Sequence, residues 1–482
     1  MIDARPVGYV LGLLLVVLGL SMALPMGVDV LDGNGHWPAF FEAAIVTTLT
    51  GLCLALACAN AVRDRLNLQQ IFLVTVGVWL VLPLFAAIPF MVGVTNSGGT
   101  DAVFEAMSGL TTTGATVLVG LDDLPAGLLF WRGLLQWYGG IGVIVMAMVF
   151  LPELRVGGMQ IFRSEAFDTM GKVLPRAAQI SAQISTIYVG LTVACALAYG
   201  AAGMDGFDAI VHAMTTVSTG GFANTDASFG AYKGAHEYVA TVFMLGAALP
   251  FVLYVQLANG EARPLWRDPQ VRAFLATFAA IVAALVAALL LGQGYDVEPA
   301  LRESMFNVAS ILTGTGYAST DYMLWGGFAV SLFFFIGLIG GCAGSTSCSI
   351  KVFRYQILFA AARAQLRAIN APHGVFRPRY DGRIVGPDVL GSVMAFFTMF
   401  VVTLGIFAVA LALTGLDFVT AVSGAATALA NVGPGLGPII GPAGNFAPLN
   451  DAAKWLLVGA MLIGRLEMMV VFVLFTRRFW LA

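Results

Sequence analysis

A short glycine-containing motif occurs four times in this sequence, each time between two long apolar runs. The copies occupy residues 110–116, 217–223, 312–318 and 429–435 and align on Gly114, Gly221, Gly316 and Gly433. An aliphatic residue stands four positions before each aligned glycine, and small or hydroxyl residues dominate between them. The intervals between the glycines are similar, which predicts one large structural unit repeated four times.

The composition of the chain is that of a membrane protein. Of its 482 residues, 59% are hydrophobic and only 11% are charged, whereas a soluble domain carries about 25% charged residues. The apolar runs are continuous rather than alternating, which predicts helices and not a β-barrel. The five cysteines lie in apolar or glycine-rich stretches without metal-binding spacing, so we interpret them as small membrane residues.

Ten apolar runs approach the length of about 20 residues that a helix needs to cross a bilayer. They lie near residues 7–26, 40–61, 70–93, 129–151, 183–203, 237–258, 272–292, 325–349, 388–414 and 453–476. A motif copy follows the third, fifth, seventh and ninth runs. Each copy is preceded by a segment too short to cross, and these segments open near Asp101, Asp208, Glu303 and Asp417.

This pattern predicts an all-α polytopic membrane protein with four helix–pore loop–helix repeats and two extra N-terminal transmembrane helices. The predicted N-terminal two-helix region covers residues 1–66. The four predicted repeats cover residues 67–180, 181–268, 269–385 and 386–482.

Four non-helical loops at membrane depth have a specific chemical use. Such backbone must bond its own polar groups or line water. Loops that meet on a pseudo-fourfold axis can stack rings of carbonyl oxygens, which replace the hydration shell of a cation. Oxygen ligands suit a hard cation, and glycine permits the backbone angles that aim successive carbonyls alike. A single copy would usually indicate helix packing, but four equivalent copies favour a pore.

Basic residues are concentrated on the predicted side that carries both termini, and the positive-inside rule assigns that side to the cytoplasm. The motif side is acidic, with Asp29, Asp101 and Asp226 among its carboxylates. These acids either concentrate cations at an outer mouth or simply tolerate the outer face. The Arg-rich connection at 352–387 is either a docking surface for a soluble partner or positive-inside decoration.

The four motifs, with residues 135–140, 156–163 and 340–346, resemble the Trk/Ktr/HKT superfamily of cation transporters, and most closely its bacterial TrkH branch. The resemblance covers nearly the whole chain. It implies a pseudo-tetrameric pore within one chain, a homodimer, no covalently bound cofactor, and the potassium ion as the transported species. In this superfamily a serine in place of the first filter glycine accompanies sodium preference, so Gly114 predicts selectivity for potassium.

The resemblance also implies the site residues. The expected potassium-binding filter residues are Thr112, Thr113, Gly114, Ala115, Thr219, Gly220, Gly221, Phe222, Gly314, Thr315, Gly316, Tyr317, Asn431, Val432, Gly433 and Pro434. The expected gate residues are Gly340, Gly341, Cys342, Ala343, Gly344, Ser345, Thr346, Ser347, Lys351 and Arg465. Glycine and hydroxyl residues are dense enough at 340–349 to interrupt a helix. In family members this interruption obstructs the pore below the filter; a merely kinked packing helix is the alternative.

Several further positions complete the set of expectations. The sequence departs from the family pattern at Cys348 and Ser349, where glycines are common, which leaves the mobility of the loop open. Arg465 lies deep in a predicted span, where charge normally faces a cavity or partner. The matching family arginine lies near the constriction, so Arg465 is expected to tune ion occupancy or gating, with a structural salt bridge as the alternative. Glu467 is not an obvious partner, since residues two apart on a helix face different ways. His212 is expected to pack or to support the filter.

The sequence therefore predicts a potassium uptake protein of the bacterial inner (plasma) membrane. The family resemblance implies control by a cytoplasmic TrkA-type nucleotide-binding ring subunit, and this chain has no nucleotide-binding motif of its own. One alternative is a sodium or weakly selective monovalent cation transporter. Another is a membrane-embedded enzyme, which would require clustered acids, histidines or a metal motif at one membrane face. Channel-like and ion-coupled transport both stay open.

Overall fold

A computed structural model describes residues 3–61, 66–146, 158 and 177–481. Within these ranges, seven helical segments are long and apolar enough to cross a membrane. They are Arg5–Asp32, Trp37–Cys58, Leu68–Val92, Ala126–Val145, Ser181–Ala201, Pro269–Gly292 and Pro387–Leu413. Their outward faces are apolar: Val401 is 64% exposed and Ile406 is 62% exposed. Such faces suit contact with lipid and not with water.

Several of these segments are divided or extended by short breaks and turns. The first consists of helices Arg5–Ser21 and Ala23–Asp32, the third of Leu68–Ala86 and Ile88–Val92, and the fifth begins at Ala177. Other short elements outside the repeats' own helices include the α-helices Arg263–Arg267, Gly437–Ile440 and Arg477–Leu481 and a hairpin of strands Arg379–Tyr380 and Arg383–Ile384. Four 3-10 helices, Ala59–Ala61, Leu121–Asp123, Ser228–Ala231 and Tyr322–Trp325, lie in connections.

Four short helices are buried among the spans, and we call them re-entrant helices 1 to 4. They are Gly99–Leu110, Gly206–Val217, Val297–Thr313 and Phe418–Ala430. Aspartates cap the N-terminal ends of two of them. The Asp205 side chain accepts from Phe207 N, and the Asp417 side chain accepts from Thr420 N. These caps satisfy amides that have no partner in the first turn. The segments that follow, residues 111–117, 218–224, 314–318 and 431–436, are loops 1 to 4.

The helix after each loop is interrupted in repeats 2, 3 and 4. In repeat 2, Ala235–Ala247 and Phe251–Ala258 meet at 95°. In repeat 3, Gly327–Gly337 is followed by a non-helical stretch, residues 338–351, and then by Val352–Asn370. In repeat 4, Asp451–Arg465 and Met469–Leu474 are separated by a break.

The prediction of ten continuous spans is therefore wrong at residues 237–258 and 453–476. Pro250 explains the first break, because proline lacks the N–H of a helix interior and disfavours helix in the residue before it. At the second break, Glu467 and Met468 adopt positive φ values of 57° and 28°. Arg465 is consequently the last residue of a helix and does not lie in the middle of a span.

The two N-terminal spans pack closely on each other and are fastened to repeat 1. A Cβ added at Gly12 would lie 2.7 Å from the carbonyl oxygen of Gly51, so only glycines permit this approach. The Asp29 carboxylate accepts from Gly127 N at 2.7 Å and lies 2.9 Å from His36 Nδ1. Asp29 is fully buried, so its expected place at an outer mouth is wrong.

Candidate functional site

The four loops meet in a closed ring. A Cβ added to each aligned glycine would run into the carbonyl oxygen just before the aligned glycine of the next loop. A Cβ on Gly114 would meet Gly220 O, and one on Gly221 would meet Thr315 O. A Cβ on Gly316 would meet Val432 O, and one on Gly433 would meet Thr113 O of the first loop. All four glycines have positive φ. Because the contacts follow the order of the repeats and return to the first, the loops surround a pseudo-fourfold axis.

A second set of equivalent residues shares an uncommon backbone conformation. The residues two before the aligned glycines are Thr112, Thr219, Gly314 and Asn431, with φ values of 51°, 51°, 78° and 52°. A positive φ is a genuine outlier for a β-branched threonine. Such strain, of order 1 to 3 kcal/mol per residue, persists only where the surroundings impose it, and it clusters at ligand-binding sites.

Carbonyl groups of the ring have almost no hydrogen-bond donors. We considered three positions in each loop: the aligned glycine and the two residues before it. Of these carbonyls, Gly220 O alone accepts a hydrogen bond from any residue in the described ranges, and its donor is Gln136. More than 90% of buried backbone carbonyls in proteins are paired. The ring is therefore a stack of oxygens that needs water or a cation as its partner.

Buried polar side chains brace loops 1 and 2 from behind. The Glu105 carboxylate accepts from Thr116 Oγ1 and from Val117 N, both at 3.0 Å. Arg132 joins the two loops, because its Nε donates to Glu105 at 2.8 Å and its Nη1 donates to Ala223 O at 2.8 Å. Arg132 is 1% exposed, so this connection between the two loops lies inside the fold.

The residue that braces loop 2 directly is Gln136, which belongs to the stretch 135–140 that carries the family resemblance but was assigned no role from the sequence. Its Nε2 donates to Gly220 O at 2.6 Å, and its Oε1 accepts from Phe222 N at 3.0 Å. His212, in re-entrant helix 2, lies 2.9 Å from Asp208 O and packs edge-on against Tyr232. It makes no hydrogen bond to loop 2 among the described residues.

Loop 3 has its own braces from re-entrant helix 3. Asn307 Nδ2 donates to Ser319 Oγ at 3.0 Å, and Ser319 N donates to Asn307 Oδ1 at 3.3 Å. Ser310 Oγ donates to Tyr317 O at 2.7 Å. Asn307 and Glu105 stand at the same number of residues before their aligned glycines. The side chain at this position therefore supports the loop in both repeat 1 and repeat 3.

One side of the ring opens into a vestibule with a cavity volume of about 200 Å³, lined by all four aligned glycines. Asp226 also lines it, and its carboxylate accepts from Gly120 N and Leu121 N at 2.9 and 3.1 Å. Asp101 is paired with Lys454 at 2.6 Å. These two members of the expected acidic mouth therefore also hold the fold together. We use "above" for this side of the ring and "below" for the other.

Residues 338–351 fold back below the ring, and we call this stretch the inner loop. Ser347 Oγ donates to Thr313 O at 2.6 Å, and Ser349 N donates to Ala430 O at 2.9 Å. The inner loop thus reaches the ends of re-entrant helices 3 and 4. Gly340 N also donates to Ile350 O at 2.9 Å, which closes the loop on itself.

The bend in repeat 2 supplies further partners to the inner loop. Thr346 Oγ1 donates to Ala247 O at 3.0 Å, and Cys342 N donates to Ala248 O at 3.0 Å. In return, Phe251 N donates to Gly344 O at 2.9 Å. Groups that a continuous helix would have paired internally are used here to hold the inner loop.

Arg465 is buried beside the inner loop. Its Nη1 lies 2.7 Å from Cys348 Sγ, and its Nη2 donates to Gly139 O at 3.3 Å. No carboxylate of the described residues pairs with it, so the salt-bridge alternative for Arg465 has no support. Glu467 instead pairs with Arg354 at 2.5 Å.

Cys348 is more than a small membrane residue. Its Sγ lies 3.6 Å from Thr112 Oγ1 of loop 1. A cavity of about 50 Å³ below the ring is lined by Cys348, Lys351, Arg354 and Arg465 among others. Lys351 donates to Ser347 O. The structure therefore brings the expected gate residues together directly beneath the four loops.

Four helix–loop–helix repeats around one axis, with membrane-spanning helices outside them, define a class of polytopic transport proteins built as pseudo-tetramers. The TrkH family model, described as a cation transport protein, matches residues 36–480. The chain is 45% identical to the Trk system potassium uptake protein TrkI of Halomonas elongata, covering 98% of this chain and 96% of that protein. It is 36% identical to TrkH of Escherichia coli K12, covering 99% of both.

A solved structure agrees with this assignment. The crystal structure of the potassium transporter TrkH from Vibrio parahaemolyticus superposes with a TM-score of 0.91 at 34% identity, covering 99% of this chain and 100% of that one. The chain belongs to the TrkH family of cation transport proteins. It is a multi-pass membrane transporter and not an enzyme, and the predicted family and fold class are confirmed.

Proposed function

We propose that this protein takes up potassium across the bacterial inner membrane through the ring of four loops. The observation that carries the proposal is the set of buried ring carbonyls to which no described residue donates. Oxygens in such an array can replace the hydration shell of a monovalent cation. The relatives named above are potassium uptake proteins, which favours potassium as the ion. The proposed filter residues are 112–115, 219–222, 314–317 and 431–434.

Electrostatics favour a cation at this point of the chain. Each re-entrant helix ends at the ring, and the C-terminal end of a helix carries partial negative charge. An ion that enters from the vestibule exchanges water for carbonyl oxygens one ring at a time. The loops are braced by Glu105, Gln136 and Asn307, so the oxygens are held at a set spacing and do not collapse on a smaller ion.

The inner loop and Arg465 form the proposed gate. The loop lies below the ring, and its bonds to Thr313 O and Ala430 O hold it there. The buried guanidinium of Arg465, which has no carboxylate partner among the described residues, opposes the arrival of another positive charge. Opening requires the loop to exchange those bonds for others.

Helix Val352–Asn370 is the proposed link between the gate and a regulatory partner. It begins directly after Lys351. Large apolar residues on it are exposed: Phe359 is 60% exposed and Leu366 is 62% exposed. We place this helix and both termini in the cytoplasm by the positive-inside rule. A TrkA-type nucleotide-binding ring subunit that moves this helix would act on the inner loop, in a transporter that functions as a homodimer.

The proposal is tested by uptake of radioactive rubidium into proteoliposomes, with unlabelled potassium and sodium as competitors. We expect potassium to compete far better than sodium for the wild type. We expect Gly114→Ser to lose this preference, because a side chain there meets the carbonyl of Gly220. Gly120→Ser is the control, since Gly120 has a φ of 73° but open space around it.

Two results would contradict the proposal. A wild-type protein that does not discriminate potassium from sodium would be a weakly selective transporter. A Gly114→Ser variant with normal uptake and normal preference would mean that ions do not pass through the ring.

A further inference from the structure

The ring of carbonyls departs from fourfold symmetry at one point. The carbonyls just before the aligned glycines belong to Thr113, Gly220, Thr315 and Val432. Only the Gly220 carbonyl accepts a hydrogen bond within the described residues, and the donor is the Gln136 amide at 2.6 Å. No residue in the described ranges donates to the other three.

The orientation of the Gln136 amide follows from its second partner. Phe222 N can only donate, so the atom 3.0 Å from it must be the oxygen Oε1. The amide nitrogen therefore faces Gly220, and the two contacts enclose Gly221 between them. Gln136 is completely buried, and a Cβ at Gly220 would collide with its side chain. Glycine at position 220 is what lets the amide lie flat against loop 2.

The equivalent helix position in repeat 4 has no donor to offer. Gly139 and Gly464 occupy matching places, because a Cβ at either would meet the carbonyl four residues before the aligned glycine of its own repeat. Three residues before Gly139 is Gln136, and three before Gly464 is Met461. The brace is thus present in repeat 1 and absent from its counterpart in repeat 4.

We propose that Gln136 is a positioning residue that determines ion specificity. Its amide fixes the distance between Gly220 O and Phe222 N. It also weakens one of the four equivalent carbonyls as a ligand. An oxygen that already accepts from an amide has less electron density to offer a cation. Its fixed position also prevents loop 2 from closing around an ion smaller than potassium. This inference rests on the proposed potassium filter.

The test uses two variants in the full-length transporter. Gln136→Met is nearly the same size, matches Met461 and removes both hydrogen bonds. Gln136→Glu, when ionised, keeps an acceptor for Phe222 N and removes the donor to Gly220 O. The control is Trp137→Phe, which removes a neighbouring side-chain hydrogen bond to Thr192 without touching the ring.

Rubidium uptake is measured with potassium and sodium as competitors. We expect the potassium-over-sodium preference of both Gln136 variants to fall about tenfold, as loss of one or two hydrogen bonds allows. The control should keep the wild-type ratio. A merely structural defect would lower the amount of active protein and leave the ratio unchanged.

The outcomes separate this inference from the proposed function. If the wild type prefers potassium and Gln136→Met has the same ratio, Gln136 does not determine specificity. If Gln136→Met does not fold, Gln136→Glu decides from assays at increasing pH, and a wild-type ratio that persists after the introduced carboxyl has ionised overturns the role of the donor. If the wild type itself shows no preference, the proposed potassium filter has failed independently of Gln136.

Discussion

Two kinds of non-helical backbone lie at membrane depth in this protein, and they treat their polar groups in opposite ways. The ring loops leave nearly all their axial carbonyls without donors from the part of the chain that the structure describes. The inner loop, residues 338–351, pairs its groups with three repeats, including Thr313 O and Ala247 O. Unpaired buried carbonyls are costly unless another partner arrives, whereas a loop with many bonds to the surrounding repeats is supported in the absence of any ligand.

This difference assigns different physical roles to the two regions. Under the proposed function, bracing from the outside prepares the ring for an ion, because Glu105, Gln136 and Asn307 bond to the loops and not to the axis. The inner loop is held in place by its own backbone and hydroxyl bonds. Changes in the ring should therefore affect which ion passes, and changes in the inner loop should affect how often any ion passes.

The largest effect is expected from filling the ring. In Gly221→Ala the added methyl would overlap the carbonyl oxygen of Thr315 and would also keep a positive φ of 80°. A left-handed backbone alone costs an alanine about 1 to 2 kcal/mol, and the overlap comes in addition. We expect rubidium uptake to fall to the background of empty liposomes.

Gly120→Ala is the matched control for this change. Gly120 has a φ of 73° and no atom within 4 Å of an added Cβ, so it bears the backbone penalty without the overlap. We expect it to retain most uptake, with a slightly lower thermal unfolding temperature. Equal loss in the two variants would show that backbone strain, and not the closed ring, explains the result.

A smaller effect of another kind is expected below the ring. Arg465→Ala removes a buried charge that has no carboxylate partner in the described part of the chain, together with its contact to Cys348. Repulsion between two unit charges in such surroundings is on the order of 1 to 2 kcal/mol. We expect basal rubidium uptake without a regulatory subunit to rise about tenfold, while the potassium-over-sodium ratio stays unchanged.

Arg465→Lys separates charge from hydrogen bonding in this test. It keeps the positive charge and loses the planar guanidinium that reaches both Cys348 and Gly139. Basal uptake close to the wild type would support the electrostatic role. A rise as large as that of the alanine variant would instead assign the effect to the lost contacts.

The repeated architecture was predictable because its signals lie in residues that are close together in the sequence. Each aligned glycine lies among small or hydroxyl residues between apolar runs, and the residues next to Gly114 are enough to predict a loop there. The interruption at 340–349 was visible in the same way, from its density of glycine and hydroxyl residues. The bend in repeat 2 also has a local signal, Pro250, which a long apolar run obscured.

Other features could not be predicted because they depend on distant partners. Residues 466–468 are ordinary helix formers, and their break accompanies the ion pair between Glu467 and Arg354, 113 residues away. Asp29 looks like any acid in a connection until Gly127 and His36 enclose it. Gln136 becomes a brace only when repeat 2 brings Gly220 beside it, 84 residues later.

The smallest effect is expected from a single hydroxyl of the inner loop. Ser347 Oγ donates to Thr313 O at 2.6 Å and accepts from Gly341 N at 2.7 Å. Ser347→Ala removes a bond between the loop and the base of loop 3, worth about 1 kcal/mol net, so we expect basal rubidium uptake to rise about fivefold.

The control is Ser345→Ala, whose hydroxyl donates to Cys342 O at 2.6 Å within the inner loop itself. If Ser345→Ala raises basal uptake as much as Ser347→Ala does, the loop's internal stability limits opening, and its attachment to the ring does not. A change in the ion preference of Ser347→Ala would break the division between the two regions, because it would mean that the inner loop also shapes the filter.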